Sequence, residues 1–222
     1  MSTPALSAAQ AAFLDLLVAR QALRFGDFTL KSGRKSPYFI NTGCFNQGGD
    51  LVRLGAAYAD TIRRAFGEDV QVVFGPAYKG IPLALAAAQA YEGLVGRSTG
   101  WTYDRKEAKD HGDGGLFVGA PLAAGTRVVV VDDVLTAGTA LRETLAKLKP
   151  VGVQVLGAVV AVDRQEKGKG DRTAIEEITA ELGTTVAPII TIRAAVAHLS
   201  ASARISGADA ARIAAHLDQA AG

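Results

Sequence analysis

Four consecutive valines, Val128–Val131, run straight into Asp132 and Asp133, and no other stretch limits the fold of this chain so tightly. β-branched side chains favour extended backbone. An apolar run without alternation belongs to a strand covered on both faces, which is how strands of a parallel sheet read. Such a sheet needs helices to return the chain across its faces, and the sequence supplies them. Ser7 is placed to cap a first helix, with Phe13, Leu16, Leu17 and Leu23 at helical spacing. Phe28–Leu30 and Tyr38–Asn41 read as short strands around a turn at Ser32–Pro37. Asp50 is placed to cap a second helix carrying Leu51, Leu54, Tyr58 and Ile62. Strand–helix alternation follows: strands at Val70–Phe74, Arg127–Val131 and Val153–Val162, helices at Ile81–Tyr91, Gly138–Leu148 and Ala174–Leu182. Val186–Ile192 closes the sheet, with Pro188 pushing it to an edge, and Ser206 or Asp209 opens a last helix. The predicted class is α/β, a central, mainly parallel sheet flanked by helices.

Composition removes several alternatives. At 222 residues, 49% hydrophobic and 21% charged, the chain buries enough surface to need neither disulfide nor structural metal. A lone cysteine, Cys44, excludes an intramolecular disulfide and a multi-cysteine zinc site, and points to a reducing compartment. The net charge is only +2, and the basic stretches Arg105–Lys109 and Arg164–Arg172 are interleaved with acids and glycines. No nucleic-acid partner is expected from such a surface. No apolar run reaches the roughly 18 residues of a membrane helix. The first residues lack the basic start of a secretory signal and place Asp15 within their apolar stretch. The expected address is the cytoplasm, with no membrane partner.

The valine strand also carries the chemistry. Beyond its two carboxylates, Val134-Leu135-Thr136-Ala137-Gly138-Thr139-Ala140 forms a short hydroxyl- and glycine-containing loop that opens a helix. Ligands of open α/β sheets bind beyond the carboxyl ends of strands. Backbone N–H groups and the helix dipole there suit a phosphate. Carboxylates touching that phosphate would repel it. They make sense as acceptors for sugar hydroxyls or as contacts to a divalent cation, so the implied ligand is a sugar phosphate. An Asp-Asp capping turn is the plain alternative, disfavoured because acids after four buried valines are costly without a purpose. Gly75–Gly80 is not a P-loop, since Gly80 is followed by Ile-Pro, yet it follows a strand and offers backbone and Lys79 to an anion. Asp104–Gly115 is charged, glycine-rich and aperiodic, and reads as a structureless loop of the kind that serves as a lid.

The Asp132–Ala140 segment resembles the 5-phosphoribosyl 1-diphosphate (PRPP) motif of type I phosphoribosyltransferases. Four further segments are similar to the orotate phosphoribosyltransferase family: Phe28-Thr-Leu-Lys-Ser-Gly-Arg-Lys-Ser-Pro-Tyr-Phe-Ile-Asn41, Phe74-Gly-Pro-Ala-Tyr-Lys-Gly-Ile-Pro82, Asp104-Arg-Lys-Glu-Ala-Lys-Asp-His-Gly112 and Asp163-Arg-Gln-Glu166. The resemblance implies a single phosphoribosyltransferase domain over residues 1–222, with a small N-terminal hood near residues 1–45 and a catalytic lid at 104–115. It implies transfer of ribose 5-phosphate from PRPP to orotate, giving orotidine 5′-monophosphate and diphosphate. It also implies Mg²⁺ held mainly by PRPP, with Asp132 or Asp133 as the protein contact, and a homodimer whose lid crosses to the partner's site. PRPP is then held by Lys31, Tyr78, Lys79, Arg105, Lys106, Lys109, His111, Asp132, Asp133 and the residues from Val134 to Ala140. The catalytic set is Lys109, Arg105, His111, Asp132 and Asp133, with Lys109 as proton donor or charge stabiliser at the leaving group. That chemistry needs cations around a departing diphosphate and carboxylates near a cationic sugar carbon, and both are present. Phe39 and Ile40 flank the orotate ring, Thr136 meets its edge, and Arg164 takes its carboxylate through two parallel donors. Ile40 departs from members carrying a second aromatic there. The plain alternative for Arg164 is a surface ion pair with Glu166. His198 and His216 are expected in helical segments without a catalytic part. A purine phosphoribosyltransferase would leave Arg164 and the basic lid unexplained, and a PRPP-sensing regulator of nucleic acid would need a basic patch.

Overall fold

Ser7 opens the first helix as its spacing predicts: its hydroxyl accepts from the Gln10 N–H while the Gln10 side chain accepts from the Ser7 N–H. The computed structural model describes residues 6–29, 33, 35–109, 115–135, 138–166 and 172–221; Lys31, His111, Thr136, Ala137 and most of Lys167–Arg172 lie outside the described residues. Helix α1 (Ala8–Ala19) leads into an antiparallel pair, β1 (Leu23–Thr29) and β2 (Lys35–Ile40), separate from the main sheet. Both strands start earlier than expected, because Leu23 opens β1 rather than closing the helical stripe and Lys35–Pro37 is strand rather than turn. In α2 (Gly48–Phe66) Asp50 is not the cap but lies in the first turn, where it accepts from the Gln47 N–H and pairs with Arg20 at 2.8 Å.

The remaining elements are β3 (Val72–Phe74), α3 (Gly80–Val95), β4 (Gly100–Lys109), β5 (Gly115–Gly119), β6 (Arg127–Val134), α4 (Thr139–Leu148), β7 (Gln154–Asp163), α5 (Ala174–Leu182), β8 (Val186–Thr191), α6 (Ile192–Ala201) and α7 (Gly207–Ala221). Six strands line up as β5–β4–β3–β6–β7–β8, all parallel except β5, which runs antiparallel to β4. The α/β class with a mainly parallel sheet is therefore the observed one, and Pro188 sits on edge strand β8. The valine run shows why: Val129 and Val131 pack with Tyr58, Ile62 and Tyr91 on one face, Val128 and Val130 with Phe74, Leu148 and Ile178 on the other. None of the four is more than 1% exposed. His198 lies in α6 and His216 in α7.

The structureless reading of Asp104–Gly115 is corrected at both ends. Residues up to Lys109 belong to β4, and β5 begins at Gly115, with Asp104 opposite Phe117 and Lys109 opposite Gly115. Charge misleads here because Asp104 is buried and neutralised by Lys147 of α4, so an acid that looks like loop is an interior strand residue. No helix among the described residues is long and apolar enough to cross a membrane.

Candidate active site

Strand register creates the site. Phe74 ends β3 opposite Val130, so β6 projects beyond it and carries Asp132 and Asp133 into the space where the chain turns through Gly75–Gly80. That turn is tight: a Cβ on Gly75 would lie 2.0 Å from the Gly80 carbonyl oxygen. Its Ala77 N–H donates to Asp104 Oδ1 at 2.9 Å, and the Ala77–Tyr78 peptide is cis. Lys79 leaves the turn towards Asp133, its Nζ 2.8 Å from Oδ2.

Asp133 gathers three donors. The Val134 N–H reaches Oδ1 at 2.8 Å, and Thr42 Oγ1 and Lys79 Nζ both donate to Oδ2, at 2.7 and 2.8 Å. Burial alone would raise this carboxyl, but the donors together outweigh it and hold Asp133 below the usual carboxylate range. Asp132 is pushed up to about 6, first by burial and then by the neighbouring Asp133 charge, against the Asp133 N–H that donates to its Oδ1 at 2.8 Å. Two adjacent acids thus differ in proton affinity, with the more acidic one beside the lysine. Beneath them Tyr58 donates to the Asp132 carbonyl at 2.7 Å, and burial keeps that phenol protonated. A cavity of about 180 Å³ opens between Thr42, Tyr58, Lys79 and Asp133.

Further along, Gly138 stands at the N-terminus of α4 with φ +71°, and a Cβ there would strike Ile178. Thr139 and Ala140 are exposed in the first turn, with backbone donors suited to a phosphate. Leu135 is buried and Val134 half-buried, which leaves backbone as what Leu135 has to offer a ligand. On the β4 side Lys106 is exposed, its Nζ 5.8 Å from the Tyr78 ring centroid. Arg105 Nε is buried without a hydrogen-bond partner among the described residues, a donor open to an anion. Lys109 ends β4, and its side chain lies outside what is described.

At the next strand end, Arg164 follows β7. It does pair with Glu166, but the surface-pair reading is corrected: the side chains are 17% and 8% exposed. Phe39 stacks on Phe28, with centroids 5.5 Å apart, and Phe39 and Ile40 are half-buried at the end of β2. Strand β2 is tied to the same region, because Tyr38 donates to Glu166 Oε1 at 2.7 Å. Sequence reasoning missed Thr42, Tyr58 and Tyr38 as parts of this arrangement, and offered Glu166 only as a surface partner of Arg164. Thr42 adjoins the quoted Phe28–Asn41 segment and Glu166 ends another, so proximity to those segments was the available signal.

Residues 44–187 match the phosphoribosyl transferase domain family. An orotate phosphoribosyltransferase of Bifidobacterium adolescentis is 50% identical over 204 residues, covering 89% of this chain and 87% of its own length. One from Thioalkalivibrio sulfidiphilus is 52% identical over 183 residues, covering 82% and 84%. Among solved structures, orotate phosphoribosyltransferase of Francisella tularensis superposes with a TM-score of 0.81 at 34% identity, covering 93% of this chain and 98% of that one.

Proposed function

The chain belongs to the orotate phosphoribosyltransferase family, and we propose how its residues divide the work of that family's reaction. The reaction transfers ribose 5-phosphate from PRPP to orotate, giving orotidine 5′-monophosphate and diphosphate on the way to UMP. The observation that carries the assignment is Asp133, drawn together with Thr42 and Lys79 at the C-terminal end of β6. The ribose hydroxyls donate to Asp132 and Asp133. The 5′-phosphate accepts from the first-turn N–H groups of α4 and the Thr139 hydroxyl, with Gly138 giving room, while Val134, Leu135, Thr136 and Ala137 form the rest of the cradle. Lys79 exchanges Asp133 for the diphosphate, joined by Tyr78, Arg105 and Lys106, and Lys31, Lys109 and His111 complete the cationic wall. As the C1–O bond breaks, these cations take up charge on the leaving diphosphate, and the carboxylates face the cationic sugar carbon that orotate attacks. Lys109 gives the proton or the charge at the leaving oxygen, assisted by Arg105 and His111.

Magnesium fits this site as a guest of the substrate. Among the described residues no three His, Cys, Asp or Glu side chains gather to hold a metal, and Asp133 Oδ2 already accepts from Thr42 and Lys79. Mg²⁺ ordinarily takes one or two carboxylates alongside substrate phosphates. Asp132 and Asp133 are the contacts available to it, and when bound it neutralises charge on the diphosphate.

Orotate lies between the hood pair β1–β2 and the end of β7, flanked by Phe39 and Ile40, with its carboxylate on Arg164 and its edge at Thr136. Arg164→Ala should raise the KM for orotate roughly 10–100-fold, as expected for a lost charge-assisted pair, with little change for PRPP. Equal weakening of both substrates in steady-state kinetics would contradict this placement.

The reading extends to one domain over residues 1–222, a cytoplasmic address and a homodimer in which the lid, anchored by Asp104 in β4 and by β5, closes over the partner's site and excludes water from a reactive intermediate. Mixing Lys109→Ala and Asp133→Asn chains then gives hybrid dimers with one site free of both substitutions, and activity should reappear on subunit exchange. Exchanged hybrids as inactive as the parents would show that the lid serves its own chain.

A further inference from the structure

Arg164 does not stand alone at the orotate pocket. Its Nε and Nη2 both donate to Glu166 Oε1, at 3.1 and 2.7 Å, and its Cζ lies 5.0 Å from the Tyr38 ring centroid. The Tyr38 hydroxyl donates to the same Oε1 at 2.7 Å. From the far end of the chain, α7 brings His216, whose Nε2 is 3.8 Å from that oxygen and whose ring meets Tyr38 edge-on at 84°. One carboxylate oxygen thus serves as the hub for groups from β2, the loop after β7, and α7.

The geometry sorts the five N–H donors of the guanidinium. Glu166 engages its side fork, the Nε–H and one Nη2–H, and among the described residues no hydrogen bond takes up the end fork formed by Nη1 and the second Nη2–H. An end fork with two parallel donors is the shape that receives a carboxylate. A guanidinium on a flexible stem would otherwise lose rotamer freedom on binding. Here a buried anion, an aromatic face and a phenol fix it beforehand.

We infer that Glu166, held by the Tyr38 hydroxyl, positions Arg164 so that its end fork is presented to the orotate carboxylate. Glu166 is a positioning residue and does not touch the substrate. The inference rests on the reading of Arg164 as the carboxylate partner.

Steady-state kinetics on Glu166→Gln, Tyr38→Phe and Arg164→Ala test it, with both substrates varied and folding checked by thermal melts. Glu166→Gln keeps the shape but removes the charge, and should raise the KM for orotate roughly tenfold. PRPP KM and kcat should stay within about twofold, a split that a general loss of structure does not produce. Tyr38→Phe keeps the ring and removes only the hydroxyl, so it should raise orotate KM in the same selective way by a smaller factor. An unchanged orotate KM in Glu166→Gln, or equal rises for both substrates, overturns the inference. If Glu166→Gln does not fold, Tyr38→Phe decides alone: a selective rise supports the positioning role and an unchanged orotate KM refutes it. A rise confined to Arg164→Ala removes the positioning role but keeps Arg164 as carboxylate partner, whereas an unaffected Arg164→Ala removes both.

Discussion

Replacing Asp133 by asparagine should lower kcat/KM for PRPP by roughly 10²–10³ while changing the stability of the fold far less. The carboxylate accepts from the Val134 N–H on one oxygen and from Thr42 and Lys79 on the other. Asparagine keeps a single acceptor. Either its NH₂ group faces Thr42 and the Lys79 ammonium, or it faces the Val134 N–H, and in both arrangements donor meets donor. The ribose then loses an anionic partner, and Lys79 loses the group that holds it near the diphosphate position. Stability is less affected because Lys79 is 71% exposed and its pair is screened by water. Kinetics and thermal melts on the same preparation check this. A loss of activity below tenfold, or a collapse in Tm that accounts for the loss, would show that Asp133 is not a substrate contact.

Gly75→Ala should cost roughly 1–3 kcal/mol of stability and about 10² in kcat/KM for PRPP. The added Cβ would sit 2.0 Å from the Gly80 carbonyl oxygen and 2.5 Å from its carbon. Those are backbone atoms and cannot rotate away, so the turn must open and carry Tyr78 and Lys79 with it. Space, not φ, demands glycine here. Gly93→Ala in α3 is the control, because nothing lies within 4 Å of its added Cβ. Alanine there should be neutral or stabilising by up to about 1 kcal/mol. Wild-type activity in Gly75→Ala, read by the same kinetics, would mean that the turn does not set the diphosphate site.

The valine run was enough to read the sheet, because parallel strands buried on two faces cannot alternate. α5 lies where its spacing placed it, between Ala174 and Leu182. The two aspartates, Lys79, the Gly75–Gly80 turn and the mouth of α4 were also legible, since each adjoins a strand end where ligands of such sheets collect. Residues with partners far along the chain were harder to read. Thr42 reaches Asp133 across 91 positions, and Tyr38 reaches Glu166 across 128. Tyr58 kept the spacing of a core residue because its ring is core, and only its hydroxyl belongs to the site. Asp104 looked like solvated loop because its neutralising lysine lies on α4, 43 residues away. In each case the missing information was a tertiary pairing, which no local pattern records.

Absorbance of orotate in the near ultraviolet is the most direct measure of the central claim, because joining the ring to ribose changes the pyrimidine spectrum. With purified protein, PRPP and Mg²⁺, the orotate signal should decay, with orotidine 5′-monophosphate appearing in equal amount, and it should stay flat when PRPP is omitted. A flat trace from folded wild-type protein with all components present would contradict the assignment of Asp132, Asp133 and the α4 mouth as a PRPP site serving orotate.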